Sequence, residues 1–198
     1  MHVPTLIGLH DGTLRDLHAP WPDDSVWAPV AANHRYNNLL WDEEDKARRQ
    51  DVPDAEIAAD KRMIDRYNQQ RNNAVEAIDE ALLAALGYVT PALDARLNSE
   101  TAGAMIDRLS ILALKIFHMH EQTLRTEAGQ EHVAACAAKL ARLHTQRADL
   151  AGCLDTLLTE AQAGRTYFKV YRQFKMYNDP ALNPYLSGQR GGGRARGA

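Results

Sequence analysis

The sequence predicts an all-α protein, an antiparallel helical bundle of four to five long helices with an irregular N-terminus and a disordered C-terminal tail. Apolar residues recur every three to four positions over long stretches, as one buried helix face requires. Prolines, glycines and capping residues divide those stretches, and no alternation of apolar and polar residues lasts long enough to be a strand. With 198 residues, 45% of them hydrophobic, the chain can bury the core of one domain.

Residues 1–23 hold Pro4, Gly12, Pro20 and Pro22 without a sustained period and are expected to be an irregular lead-in. Asp24 or Ser25 can cap a helix that runs through Trp41 to about Arg49. Asp51-Val-Pro53 interrupts it, because proline removes a donor and disfavours helix just before itself. Pro53 then opens a second helix that runs to Ala85 or Leu86 and ends at Gly87. Thr90-Pro91 reads as the cap and first turn of a short helix to about Leu97. Asn98-Ser-Glu-Thr101 starts a third long helix that reaches Thr126 and stops before Gly129. A fourth runs from Gln130 to about Ala163, and Gly164 separates it from a shorter basic-aromatic helix, Arg165 to Tyr177. Asn178-Asp-Pro180 and Asn183-Pro184 read as turns, and 188–198 as a disordered Gly/Arg tail. One helical domain over 24–187 follows.

Composition excludes several classes. Twelve glycines and eight prolines rule out a fibrous chain. No stretch approaches the roughly 20 apolar residues of a membrane span. The N-terminus lacks a basic region before a signal-like apolar run, so a cytoplasmic protein is expected. Cys136 and Cys153 cannot form a disulfide framework or a cysteine-rich zinc site, and read as packing residues. Net charge is −3, but unevenly spread. From Gly164 onward seven basic residues face Asp179 alone, which leaves the other 163 residues at −9. A short basic end on an acidic body is a weak sign of nucleic-acid binding, and none is expected.

The helix after Pro53 is the most informative. At 100° per residue, Ile57, Ile64, Tyr67, Val75, Ile78 and Leu82 form a core seam, and Arg71 falls in its middle. A guanidinium there must be paired or must face a cavity. Beside the seam run Lys61, Asp65, Asn68, Asn72, Glu76 and Asp79, either a row of helix-surface pairs or the wall of a polar site within the bundle. The preceding helix offers a matching line, Asn33, Asn37, Trp41, Glu44 and Arg48, with Asp45 adjacent. Glu44 with Arg48 also has the spacing of a plain surface ion pair. The helix after Thr101 is apolar nearly all round and so should be central; its charges Asp107, Arg108 and Lys115 need partners, for which Asp65, Glu76 and Glu44 are candidates. His118 and His120 are two apart and point to opposite sides, so they cannot share a metal, and His34 reads as structural.

Four segments carry a resemblance. Leu40-Trp-Asp-Glu-Glu-Asp-Lys-Ala-Arg48, Lys61-Arg-Met-Ile-Asp-Arg-Tyr-Asn-Gln-Gln-Arg-Asn72, the stretch Glu100 to Lys115, and Tyr171 to Asp179 with Leu182-Asn-Pro184 resemble the motifs of a bacterial family, domain of unknown function 4254. Asn73 and Ala102 stand where aspartate and proline are expected. The resemblance implies association with glycosyltransferases and surface-glycan assembly, and no particular reaction.

Three functions follow as expectations. A polar site between the helices at 24–49, 53–86 and 101–126, closed by Tyr171–Asp179, would handle a phosphorylated or nucleotide-linked sugar. Arg71, Arg108, Lys115 and Lys175 would hold phosphate, and Asn68, Asn72 and Asn178 hydroxyls. Asn37, Trp41, Arg48 and Lys61 would complete the binding set, and Glu44, Asp45 or Asp65 would serve as acid or base. No metal or other cofactor is expected for this reading. Alternatively, Asp42-x-x-Asp45 and Glu76-x-x-Asp79 could chelate Mg²⁺ in an all-α nucleotide pyrophosphohydrolase. Or the Arg165–Tyr177 segment, with aromatic residues among Arg and Lys, could dock the chain as a non-catalytic partner of a glycosyltransferase. Oligomeric state is not readable.

Overall fold

A computed structural model describes residues 1–16, 18–87, 89–174 and 179–186. Among these are five α-helices: α1 (Val3–Arg15), α2 (Trp27–Lys46), α3 (Asp54–Leu86), α4 (Ala102–Thr123) and α5 (Gln130–Gln162). Helices α2 and α3 pack along their length as one hairpin, and α4 and α5 as a second. Helix α4 touches α1, α2, α3 and α5, the central place its all-round apolar surface predicts. Around it Leu6, Val30, Ile78, Leu82, Ile106, Leu109 and Leu154 form the buried core. No helix among the described residues is long and apolar enough to cross a membrane.

The start of α4 is fixed by a close approach. Thr101 caps it, its side chain accepting from the Ala104 N–H, while the Gly103 N–H donates to the buried Asp79 carboxylate of α3 at 2.6 Å. A Cβ on residue 103 would stand 2.5 Å from the Val75 carbonyl oxygen, so only glycine lets the two helices meet there.

Three expectations are corrected. Residues 1–23 are not irregular throughout: Val3–Arg15 is a helix with Pro4 in its first turn. Its buried stripe is Val3, Leu6, His10 and Thr13, two of them polar, and Gly8 and Gly12 lower its propensity, so its stability comes from packing on the bundle. The short helix expected at 91–97 and the helix expected at 165–177 are both replaced by a two-residue parallel pairing, β1 (Arg96–Leu97) with β2 (Thr166–Tyr167). Gly164, at φ +70°, turns the chain back after α5, and its carbonyl accepts from the Ala92 N–H. The Arg96 and Asn98 amides then donate to Arg165 and Tyr167, so each segment satisfies the other's backbone and neither coils. Residues 175–177 and the Gly/Arg tail lie outside the described residues.

Candidate functional site

One face of α2 lies against α4 through polar side chains. Asp107 Oδ1 accepts from Asn33 Nδ2 at 2.8 Å and from Asn37 Nδ2 at 2.9 Å, and Asn37 Nδ2 also lies 3.0 Å from Ser110 Oγ. His34 Nδ1 bonds the same Ser110 hydroxyl at 2.7 Å. Beyond it His34 stacks on His10 of α1. Burial holds the His34 imidazole down at about 4 and pushes His10 well below the usual histidine range, with the charges of His34 and Arg147 adding to the effect. Both rings are therefore neutral. This layer aligns α2 on α4, so that the next turns of α2 present Trp41, Glu44 and Asp45 on a continuing face, with Arg48 in the turn just after the helix.

Those residues, with Asn37 and Leu40 of α2, Arg71 of α3, and Ile111 and Leu114 of α4, enclose a cavity of about 250 Å³. Arg71 is half-buried in its wall. Its Nη2 lies 3.4 Å from Asn72 Oδ1, its Nε is buried without a protein partner, and no carboxylate among the described residues pairs with it. Glu44 is engaged by Arg48 at 3.0 Å and by Lys61 at 3.6 Å, whereas Asp45 has no such partner among the described residues.

On the other side of Trp41 a second cleft, about 620 Å³, opens between α4 and α5. Trp41 and Asp45 border both spaces. Trp41 lies flat against His118, ring centroids 4.5 Å apart and planes 10° apart. Lys115 of α4 and Lys139 and Arg142 of α5 line this cleft, and none of them has an ion-pair partner among the described residues.

The structure thus brings together Asn37, Trp41, Glu44, Asp45, Arg48 and Arg71 around one cavity, with Lys61 reaching its Glu44 and Asn72 beneath Arg71. It separates the others. Asp65 is exposed and Asn68 half-buried, and neither lines the cavity. Arg108 turns to Glu100 at 2.5 Å, and Lys115 faces the second cleft; neither meets the partners expected for it. Glu76 is taken by Arg172 at 2.8 Å, with Glu80 bonding the same guanidinium, and by the Gln173 N–H at 2.9 Å. The described part of Tyr171–Asp179 therefore runs along α3 and does not close the cavity. Lys175 and Asn178 lie outside the described residues. Cys136 is buried as expected, but Cys153 is exposed.

The second carboxylate pair is likewise engaged. Asp79 is held by Gly103, and its burial pushes the carboxyl above the usual range, against the hydrogen bonds from Thr101 and Gly103. Among the described residues no three His, Cys, Asp or Glu side chains are grouped to hold a metal ion.

The sequence reading passed over Lys139, Arg142 and the pairing of Trp41 with His118. A signal existed: neither Lys139 nor Arg142 has an acid three or four residues away on α5, so neither can be neutralised within its own helix.

A family model described as "Protein of unknown function (DUF4254)" matches residues 27–170. The chain belongs to the DUF4254 family. No curated protein and no solved structure matches it. The DUF4254 match opens at Trp27, the first residue of α2, and so leaves out α1 and the Tyr171–Asp179 segment. Every residue around the smaller cavity lies inside it. All but Asn37 fall in the three segments Leu40–Arg48, Lys61–Asn72 and Glu100–Lys115.

Proposed function

We propose that the Trp41–Arg71 cavity binds a phosphorylated sugar, free or nucleotide-linked, in bacterial surface-glycan metabolism in the cytoplasm. One observation carries the reading: Arg71 reaches a cavity with its Nε buried and unpartnered, and no carboxylate among the described residues neutralises it. A partly buried guanidinium without a counter-ion favours an anion, and its planar fork suits phosphate oxygens. Glu44, Asp45 and the side-chain oxygen of Asn37 around it are acceptors for sugar hydroxyls, the Asn37 amide nitrogen being held by Asp107 and Ser110. Asp45 is the carboxylate available to move a proton, since Glu44 is tied to two cations. The pyrophosphohydrolase reading has less support, because Glu76 and Asp79 are already engaged by Arg172 and Gly103.

The test is a thermal-shift screen of sugar phosphates, nucleotides and nucleotide sugars, each with and without Mg²⁺. A ligand at 100 times its Kd adds about 2.7 kcal/mol, which at this size raises Tm by about 5–10 °C. The shift is expected to disappear in Arg71→Met. A flat screen, or a shift unchanged in Arg71→Met, contradicts the reading.

A second reading, docking on a glycosyltransferase, is favoured by the exposed aromatics Tyr171, Phe174 and Tyr185, the last two almost fully exposed. Replacing Phe174 and Tyr185 by serine is then expected to abolish co-purification with a glycosyltransferase expressed beside it. Unchanged co-purification, or none with the parent chain, contradicts docking through these residues.

A further inference from the structure

We infer that the cleft between α4 and α5 takes the base, ribose and proximal phosphate of a nucleoside diphosphate, so that the sugar-bearing phosphate that reaches Arg71 in the Trp41–Arg71 cavity is nucleotide-linked. The inference rests on the proposed reading of that cavity and extends it across Trp41.

Size and continuity come first. A cavity of about 250 Å³ falls below the ordinary range of about 300–1,000 Å³ for drug-sized ligands, whereas the adjoining cleft of about 620 Å³ lies within it. Trp41 and Asp45 border both, so the two spaces adjoin at a shared wall, across which the one ligand is placed.

Charge comes second. Arg48, Arg49, Arg108, Arg125, Arg147 and Arg172 each lie on a carboxylate. Among the described residues Lys115, Lys139 and Arg142 do not, and although cations such as Arg35, Arg62 and Arg66 are also unpaired, these three gather in one concave space. They come from two helices and converge on one cleft whose lining holds a single acid, Asp45, at the edge toward the sugar cavity. Uncompensated positive charge focused in a concave surface concentrates anions. Three such cations, with Arg71 beyond Trp41, can meet two separate phosphate groups, over which a nucleotide-linked sugar spreads the two negative charges that a monoester carries on one.

The wall comes third. Trp41 and His118, stacked on each other in the same cleft as those cations, each keep one outer ring face, beside the amides of Gln122 and Gln146. Aromatic surfaces receive any base through its π-face, and amides can meet ribose hydroxyls or base edges.

The experiment is calorimetric titration of the full chain with the common nucleoside diphosphates, their hexose conjugates, and glucose 1-phosphate. The parent protein is compared with Lys139→Ala/Arg142→Ala, two exposed positions whose change leaves the core intact. At least one nucleoside diphosphate is expected to bind, and its hexose conjugate to bind at least tenfold more tightly than glucose 1-phosphate. The double variant is expected to weaken both nucleotide ligands at least tenfold and to leave glucose 1-phosphate unchanged. Equal affinity for glucose 1-phosphate and every conjugate overturns the inference and leaves the cavity reading standing. Nucleotide binding that the double variant does not alter overturns it too. Nucleoside diphosphate binding that is lost in the double variant, without any response to the hexoses, supports the cleft and contradicts the cavity reading. No response to any of these ligands contradicts both.

Discussion

His10 and His34 lie face to face in the core, ring centroids 4.5 Å apart and planes 22° apart, joining α1 to α2. Trp21 flanks both rings, at 6.0 and 6.1 Å. Among the described residues only His34 Nδ1 of the four ring nitrogens bonds a side chain, and the His10 carbonyl offsets the burial of His34 only in part. Protonating either ring would therefore bury a poorly compensated charge beside Arg147, itself paired to Asp11.

Stability should therefore fall in mild acid. A histidine held low in the folded protein and near 6.5 when unfolded takes up its proton more readily on unfolding. Its contribution is complete above about pH 6.5 and is lost as pH falls toward about 4, for His34 alone roughly 3 kcal/mol. The raised carboxyl of Asp79 acts in the opposite sense, favouring the folded state as it becomes protonated. Chemical denaturation between pH 7 and pH 4.5 is expected to show the fall, and His10→Phe to flatten it. A midpoint independent of pH over that window contradicts the account of the pair.

Gly103→Ala is expected to destabilise the fold by about 1–3 kcal/mol through overpacking. The added methyl would meet the Val75 carbonyl oxygen at 2.5 Å and Asp79 Oδ1 at 2.9 Å, and backbone cannot swing aside as a flexible side chain would. A thermal melt measures it, and a Tm equal to that of the parent contradicts the close approach of α3 and α4.

Asp107→Ala removes one acceptor that serves two amides, Asn33 and Asn37, both buried. Leaving them unpaired is expected to cost about 2 kcal/mol or more, whereas Asp107→Asn keeps one carbonyl oxygen and should cost less. Denaturant unfolding of the two variants decides the order; equal losses mean that the amides find other partners.

Asp45→Asn is expected to leave Tm unchanged, since Asp45 is exposed and has no ion-pair partner among the described residues, yet to weaken the sugar-containing ligand at least tenfold. Glu44→Gln is expected to alter stability by less than about 1 kcal/mol, because its two ion pairs are solvent-exposed ones. Calorimetry and melts on the same preparations separate the two effects.

The four long helices were legible because proline, glycine and cap residues bound each apolar period, as at Pro53 and Gly87. Helix α1 was not, since its buried stripe contains His10 and Thr13 and reads as polar until α2 and α4 are in place. The pairing of residues 96–97 with 166–167 joins segments about 70 residues apart, a distance no local pattern reports. At the site, Arg71 stood out because a charge in an apolar stripe violates a local rule. Asn37, Trp41, Glu44, Asp45 and Arg48 followed from one helix face. Lys139 and Arg142 did not, because their meaning depends on which helix lies opposite.

The measurement that bears most directly on the Trp41–Arg71 site is calorimetric titration of the nucleoside diphosphate hexoses into the parent protein, Arg71→Lys and Arg71→Met. The account predicts saturable binding that weakens in that order, because lysine keeps the charge but not the fork and methionine keeps neither. The three folded chains should melt within a few degrees of one another, since Arg71 has no ion pair to lose. The same affinity in all three would contradict it, and Arg71 would then be a wall residue with no part in holding a ligand.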